Sequence, residues 1–432
     1  MNGGEAIGSG GFGCVFHPAL DCKTDSKIID KSNYVSKLMI NKHANEEHNI
    51  ISNINKQLQT IPNHSNYFLT DNITKCKVKR LTQKDLKGYT KKCKPLIKNK
   101  ITMKNINKKL KKISAIVLPH GGIDIDKYIF KYINNYDKMY KMFKSMIELI
   151  KNGIIPMNKH NIYHGDLKAS NLMIKSSNIK VIDWGLAFVH KSGNINSMAC
   201  SRPFQFNLPF SCVLINEYFK KDYDKYLDTN SQPSKSELKI LISDFVQRWN
   251  DYRSTGSLDL MHYIYVGLLN NNSSPEMFQH KVDPIMIDYL VDGVHAYTKN
   301  GKFLQKEYYE KLYLHNLDLW GTIMSMMPIF HLLSTNITLL NNTENSVLKI
   351  MHELFQYSLD NSDTPMSSQF IVNKLQDISG LYNVKKQKML KTTNRTSIKK
   401  ISTRKKVSSI LKQTISSSKS ISKKNKTRRK YF

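Results

Sequence analysis

The sequence predicts an α+β protein whose first part is rich in short strands and whose remainder is mostly helical. Glycines and polar turns break the first 120 residues into short apolar segments, which is typical of small hairpins. From Asp137 onward, apolar residues instead recur at helical spacing. With 432 residues, 40% of them apolar, the chain is long enough for two units that each bury a core.

The individual elements follow from the same patterns. A glycine-rich turn separates two short strands at the start of the chain, and Gly153 with Pro156 ends the first long helix. The remaining predicted strands are 34–40, 67–73, 113–118, 172–174 and 180–182, and the predicted helices are 42–58, 137–150, 236–250, 284–297 and 318–333.

The formal net charge of +32 is concentrated in two segments. Residues 75–112 hold 16 Lys/Arg against Asp85 alone, and residues 384–432 hold 18 and no acidic residue. The rest is close to neutral, so we expect both segments to be interaction segments rather than parts of the fold. Nucleic acid, an anionic membrane or acidic proteins are candidate partners, and solvated segments that only aid localisation are the alternative. The last fifty residues are expected to be disordered.

Six cysteines show no C-x-x-C pair and no spacing typical of secreted proteins, so we expect an intracellular, reducing compartment. No signal peptide is apparent at Met1. The most apolar run, 317–333, is interrupted by polar residues and proline and is too short to cross a bilayer. We therefore expect a buried helix there and no transmembrane segment.

A glycine-rich loop at residues 8–13 is the first candidate functional element. It reads Gly8-Ser9-Gly10-Gly11-Phe12-Gly13, and glycines let a backbone approach phosphates without a Cβ in the way. A plain hairpin turn and a dinucleotide-binding loop share this spacing. The next predicted strand carries Lys37, which could hold phosphates under such a loop, and Glu46 or Glu47 could fix its ammonium group.

The segment from His164 to Asp183 is the most specific signal. It reads His164-Gly165-Asp166-Leu167-Lys168-Ala169-Ser170-Asn171, followed by Ile182-Asp183-Trp184-Gly185. Phosphoryl transfer needs a carboxylate near the acceptor hydroxyl, a cation near the transferred phosphate and ligands for metal. Asp166 and Lys168 fit the first two needs, while Asn171 and Asp183 offer the oxygen ligands that Mg²⁺ prefers.

These motifs resemble those of eukaryotic-type serine/threonine protein kinases, in the family's order from Gly8 to Gly185. The resemblance implies a bilobal kinase-like fold that binds ATP and Mg²⁺ between a small N-lobe (1–120) and a helical C-lobe (121–382), followed by a basic tail (383–432). It implies catalytic roles for Asp166 and Lys168, phosphate binding by Lys37 with Glu47 as partner, and metal binding by Asn171 and Asp183. The nucleotide would also contact Ile7 and the loop glycines Gly8, Gly10, Gly11 and Gly13. Val15 and Val35 would form walls of the adenine pocket, and Met173 its floor.

The narrower likeness is to kinases of large DNA viruses, which would place the chain in a host cytoplasm or a virion. Several departures from the family pattern matter. Gly165 replaces an arginine that normally clamps a phosphorylated activation segment, so we expect no dependence on such phosphorylation, with Arg202 the nearest substitute cation. Pro209 is followed by no glutamate, and residues 212–310 look like a large insertion. Asp318-Leu319-Trp320 resembles the start of the family's central helix.

Two other functions remain open from the sequence. His-Gly-Asp and Ile-Asp-Trp also resemble the catalytic segments of aminoglycoside and choline phosphotransferases, which act on small molecules. A non-catalytic nucleic-acid-binding or scaffold protein on a kinase-like fold is the other alternative. The substrate protein, the regulator and the oligomeric state do not follow from these patterns.

Overall fold

The computed structural model describes residues 4–23, 30–197, 199, 201–258, 260–261 and 275–400. The chain divides into two compact units, Met1–Asn383 and Val384–Phe432. The first unit contains both lobes and every predicted site residue. In the second, the described residues are helical as far as Lys400.

Five antiparallel strands form the sheet of the N-lobe, in the order β1-β2-β3-β5-β4. Their bounds are β1 Glu5–Ser9, β2 Gly13–His17, β3 Tyr34–Ile40, β4 Thr74–Cys76 and β5 Ile113–Pro119, and helix α1 is Asn41–Leu58. The strands at 34–40 and 113–118 and the helix at 42–58 are thus confirmed. The predicted strand 67–73 is wrong, because Phe68 makes a single bridge to Val181 and packs on Trp184 in the C-lobe instead.

Alternate residues of this sheet face two different layers. On β5, Ile113, Ala115 and Val117 pack against residues 81–106, whereas Ile116 packs with Met39 and α1. Successive side chains of a strand point to opposite faces, so the sheet is buried on both sides. This divides the N-lobe into an outer layer and a layer that faces α1 and the cleft.

The outer layer is built by residues 75–112, which we call the basic cap. It contains the short helices α2 Tyr89–Lys92 and α3 Lys94–Lys98. Its apolar side chains are buried against the sheet, namely Leu81, Leu86, Tyr89, Leu96, Ile101 and Ile106. Burying a side chain of this size contributes about 1.5–3 kcal/mol. The prediction that this segment is not part of the fold is therefore wrong: its spaced apolar residues, not its lysines, decide its structure.

Two disulfides join the basic cap to earlier parts of the N-lobe, one to β2 and one to the segment that follows β2. Cys14 of β2 bonds to Cys93, between α2 and α3, and Cys22 bonds to Cys76 of β4. The paired Cα atoms are 4.9 and 5.7 Å apart, within the usual range for a disulfide. No short spacing in the sequence indicates these two bonds, because their cysteines lie 79 and 54 positions apart and meet only in the folded lobe.

The C-lobe is mostly helical. Its first long helix, α5, buries Met139, Met142, Phe143, Met146 and Ile147 on one face, as its periodicity predicts. The helices are α4 Ile125–Tyr132, α5 Tyr136–Leu149, α6 Ile155–Lys159, α7 Glu217–Leu227, α8 Lys235–Arg253, α9 Pro275–Ala296, α10 Gln305–Tyr308, α11 Leu314–Met324, α12 Met327–Ser334, α13 Asn342–Asp360 and α14 Ser368–Lys400.

The C-lobe also contains short strands. They are β6 Ile123–Asp124, β7 Ile162–Tyr163, β8 Leu172–Lys175, β9 Asn178–Val181, β10 Phe188–Val189, β11 Thr298–Lys299 and β12 Lys302–Phe303. They pair as β6-β8-β9, β7-β10 and β11-β12. The predicted hairpin after Asn171 is confirmed, with Ser176 and Ser177 at its turn in left-handed backbone conformations.

Three further sequence predictions meet the structure here. The helices predicted at 236–250 and 284–297 are present as α8 and α9, while the single helix predicted at 318–333 is two helices, α11 and α12, that separate before Pro328. The disorder predicted for the last fifty residues is wrong up to Lys400, where α14 ends, and otherwise concerns residues outside the described ones. No helix among the described residues is long and apolar enough to cross a membrane.

Candidate active site

Lys37 links the two lobes through a pair of carboxylates. Its Nζ lies 2.7 Å from Oε1 of Glu47 on α1 and 2.9 Å from Oδ1 of Asp183 beyond β9. Lys37 is on β3, and its side chain leaves the face of the sheet that carries Met39 toward α1. The resemblance implies Glu47 as the partner of Lys37, with Glu46 as the alternative. The structure brings Glu47 to Lys37, whereas Glu46 turns to His43 on the surface.

The opposite charges of Lys37 and Asp183 stabilise each other. Burial by itself lowers the pKa of Lys37, but the neighbouring carboxylates of Asp183 and Glu47 outweigh burial, and the net shift is upward. Burial raises the pKa of Asp183, yet Lys37 outweighs it and holds that pKa below its usual value. Lys37 therefore stays cationic and Asp183 anionic at neutral pH, as phosphate and metal binding would require.

The glycine-rich loop lies over this lysine. A Cβ on Gly10 would come within 3.6 Å of Cε of Lys37, so the loop reaches the amine-bearing end of the side chain. At Gly13 a Cβ would lie 2.4 Å from the carbonyl oxygen of Leu38, a distance that only glycine avoids. Gly8 pairs with Val15 at the start of the hairpin, and Gly11 lies at the tip with open space beside it.

Apolar residues predicted for an adenine pocket lie around the same cleft. Val15 and Val35 alternate with buried residues that face the basic cap, so their half-buried side chains point to the opposite, inner side of the sheet. Ile7 lies at the irregularity in β1 and is 44% exposed. Met173 lies across the cleft on β8, where it pairs with Asp124. The carboxylate of Asp124 is not free, because it caps the N-terminus of α4.

Asp166 is held from three sides in the catalytic loop, which comprises residues 164–171. Lys168 Nζ lies 2.9 and 3.1 Å from its two carboxylate oxygens, and Asn171 Nδ2 donates to Oδ2 at 3.0 Å. The third donor is Asn207, whose Nδ2 lies 2.9 Å from Oδ1. Hydrogen bonds to a charged acceptor are among the stronger ones in proteins, so the carboxylate has a fixed orientation.

The backbone of the catalytic loop is anchored by Asp318 in α11. This fully buried carboxylate accepts the backbone N–H groups of His164 and Gly165 at 2.9 and 3.0 Å, and the side chain of Asn158 at 2.8 Å. His164 itself is buried, with Nε2 2.9 Å from the carbonyl oxygen of Ile182.

Gly165 stands where the family pattern has an arginine, and Arg202 bonds to its backbone. Gly165 has a φ of 68°, a left-handed conformation that favours glycine. Arg202 reaches its carbonyl oxygen with one guanidinium nitrogen at 2.6 Å and Gln205 with the other at 2.5 Å. The guanidinium also lies 3.9 Å from Asp166. Arg202 is 8% exposed, so its charge is already paired inside the protein.

The donor set of Asn171 and Asp183 fits Mg²⁺. Because Nδ2 of Asn171 donates to Asp166, its amide oxygen is the atom left for a metal. The described residues contain no group of three or more His, Cys, Asp or Glu that could hold a metal ion. Mg²⁺ suits such a sparse site, since it keeps waters and takes phosphate oxygens beside one or two protein ligands.

Sequence reasoning missed Asn207 as a site residue. It lies in the run Phe204-Gln205-Phe206-Asn207-Leu208, where polar residues alternate with large apolar ones. Asn207 is 2% exposed, and the indole of Trp320 in α11 donates to the neighbouring carbonyl of Phe206 at 2.9 Å. A polar residue buried in an apolar run usually has a specific partner, and that was the available signal.

Comparisons with known proteins agree with this geometry. Residues 1–206 match the family model of the protein kinase domain. A segment of 64 residues is 39% identical to CBL-interacting serine/threonine-protein kinase 21 of Arabidopsis thaliana, which is 15% of this chain and 14% of that protein. The chain thus spans about a seventh of that relative. The structure has the bilobal α+β fold of a protein kinase domain, and the family match covers its first 206 residues.

Proposed function

We propose that this protein is a serine/threonine protein kinase that transfers the γ-phosphoryl group of ATP to protein hydroxyls. The observation that carries the proposal is the carboxylate of Asp166, held by Lys168, Asn171 and Asn207, in a site where Lys37 pairs with Glu47 and Asp183. A carboxylate with such a fixed orientation suits a general base for an incoming hydroxyl. Asp318 has as many donors but is fully buried, whereas part of the Asp166 side chain is exposed and can meet an acceptor.

Each residue has a role that follows from its charge and position. Asp166 accepts the proton of the acceptor hydroxyl, and Lys168 offsets negative charge on the phosphate in transfer. Lys37, kept cationic by its two carboxylates, binds the α- and β-phosphates under the glycine-rich loop. Mg²⁺ held by Asn171 and Asp183 would neutralise charge on the phosphates when bound.

The serine/threonine preference rests on two supports. Lys168 stands two positions after Asp166, as in the serine/threonine pattern, and the matched Arabidopsis protein is named a serine/threonine kinase. Acceptor class is open to test, since small-molecule phosphotransferases share His-Gly-Asp. The narrower kinship with kinases of large DNA viruses remains a prediction from composition and insertions.

The test compares Asp166→Asn with the full-length protein, and with Asp228→Asn, an exposed residue at the end of α7, as matched control. Labelled ATP, Mg²⁺, a panel of protein and peptide acceptors, and aminoglycoside and choline acceptors are incubated with each. We expect phosphate on serine and threonine of protein acceptors, a loss of about 10²–10⁴ in rate for Asp166→Asn, and unchanged ATP affinity. The control keeps the full rate.

Three results would contradict the proposal. Wild-type turnover by Asp166→Asn would exclude this carboxylate as the base. Transfer to aminoglycoside or choline without transfer to protein would indicate the small-molecule class. Nucleotide binding without any turnover, unaffected by Asp166→Asn, would indicate a non-catalytic scaffold.

A further inference from the structure

The basic cap presents a dense cationic surface on the side of the N-lobe away from the cleft. Fourteen of its 16 Lys and Arg side chains are exposed and two are half-buried. Its one acidic residue, Asp85, is 5% exposed and accepts hydrogen bonds from Thr82, within the cap itself. The outward surface of the cap therefore carries positive charge with no carboxylate of its own.

Neighbouring segments neutralise almost none of this charge. Within the described residues, Lys87 is the only basic residue of the cap in an ion pair, with Glu5 at 2.7 Å. Lys75, Lys77 and Lys109 bond to neutral oxygens instead. Burial, followed by repulsion from Lys75 and Lys23, lowers the pKa of Lys77. Such a surface gathers small anions, and a polyanion that displaces them gains free energy.

The fold arranges these cations on the outer side in advance. In α2 and α3, Tyr89, Cys93 and Leu96 are buried while Lys91, Lys94 and Lys98 are exposed. Lys75 and Lys77 lie instead on the α1 side of β4, where they bond to Asn45 and Asn41, so they are not part of this outer surface. The disulfide between Cys93 and Cys14 fixes α2 and α3 to β2. A ligand would therefore not need to order a flexible segment, which lowers the cost of binding.

The side chains of the cap indicate which polyanion fits. We propose that the basic cap binds double-stranded nucleic acid through its phosphate backbone, without reading the base sequence. Arg80 is the only arginine among the cap's lysines, and lysine acts as a point charge rather than a bidentate reader of bases. Phosphate contacts of this kind position a protein on a duplex but carry no sequence information.

Single strands and membranes fit this surface less well. The one aromatic residue of the cap, Tyr89, is fully buried and donates to the carbonyl oxygen of Ile101 at 2.8 Å, so it cannot stack on unpaired bases. Met103 is the only large apolar side chain exposed on the cap. Membrane-surface helices insert a row of such groups, which this cap lacks.

The test measures binding of the full-length protein to a fluorescent 30-base-pair DNA duplex across a salt titration. One variant changes four exposed cap lysines to glutamine, namely Lys91, Lys94, Lys98 and Lys104. The matched control makes the same change of net charge at four exposed lysines of the C-lobe, namely Lys221, Lys225, Lys302 and Lys306. A duplex RNA, a DNA single strand and phosphatidylserine vesicles complete the set, and thermal unfolding checks that each variant is folded.

We expect the cap variant to bind the duplex tenfold or more weakly near 0.1 M salt. The slope of log affinity against log salt should fall by about 2–4, at about 0.9 per lost phosphate contact. The control should stay within twofold, and different duplex sequences should bind alike. Equal losses in the two variants, no duplex binding at all, or stronger binding to single strands or vesicles would overturn the proposal.

Discussion

Replacing Asn207 should damage catalysis without damaging nucleotide binding. Asn207→Ala removes the donor that lies 2.9 Å from Oδ1 of Asp166, while the contacts of Lys168 and Asn171 to the same carboxylate remain. A hydrogen bond to a charged group contributes about 1.5–3 kcal/mol. If this energy serves to orient the base in the transition state, kcat should fall roughly 10- to 100-fold.

The KM for ATP should be unchanged, because Asn207 bonds to Asp166 and not to the cluster of Lys37, Glu47 and Asp183. Steady-state kinetics with a peptide acceptor separates the two constants. Asn207→Asp is the second variant, since it places a second carboxylate about 3 Å from Asp166. Two carboxylates this close share a proton, so the acidic limb of the pH–rate profile should move to higher pH.

Asn216→Ala provides the matched control. Asn216 is equally buried, caps the start of α7, and bonds to the carbonyl of Val213, far along the chain from the catalytic loop. Loss of the cap should lower the free energy of unfolding by about 1 kcal/mol and leave kcat unchanged. A wild-type kcat for Asn207→Ala, or equal losses of kcat in both alanine variants, would refute a positioning role for Asn207.

The other predictions concern the metal ligand, regulation and the disulfides. Asp183→Asn should abolish Mg²⁺-dependent ATP binding in a fluorescent-nucleotide titration. If the variant still bound ATP with wild-type affinity, and a chelator still removed that binding, Asp183 would not be a metal ligand. Phosphatase treatment should leave kcat within about twofold, because Arg202 is already paired inside the protein and needs no phosphate as a partner. A hundredfold loss of kcat would show that a phosphate is required. The bond between Cys93 and Cys14 closes a loop over 79 residues. Cys93→Ser breaks this bond and should lower the free energy of unfolding by about 4 kcal/mol. Urea unfolding measures this change, and an unchanged midpoint would mean that the bond adds nothing to the folded lobe.

The sequence predicted the parts of the site that depend on short, ordered motifs. Lys37, Asp166, Asn171 and Asp183 could be found because each lies in a motif whose residue types match phosphoryl-transfer chemistry. Asn207 was indicated only by its place in an apolar run, and its partner was not, because it reaches Asp166 from 41 positions away and no motif fixes that distance. Such contacts depend on how the chain folds back, which periodicity does not encode.

The same limit explains the errors in the N-lobe. The lysines of residues 75–112 dominated the sequence pattern, yet the six apolar side chains beneath them determine that the cap folds. Both disulfides join residues more than 50 positions apart, which no short spacing reveals. The intracellular compartment and the viral kinship stay predictions.

The two-sided burial of the N-lobe sheet has a consequence for how this chain can change. Residues 77–112 of the basic cap connect neighbouring strands, since Cys76 of β4 pairs with Ala115 of β5, so their removal would leave β4 and β5 joined by a short turn. The removal would also bare Phe16, Leu38 and Val117, an apolar face that no other described layer covers. An exposed patch of this kind favours aggregation. The exposed lysines of the cap can therefore be substituted without loss of the fold, whereas its buried apolar residues cannot be removed.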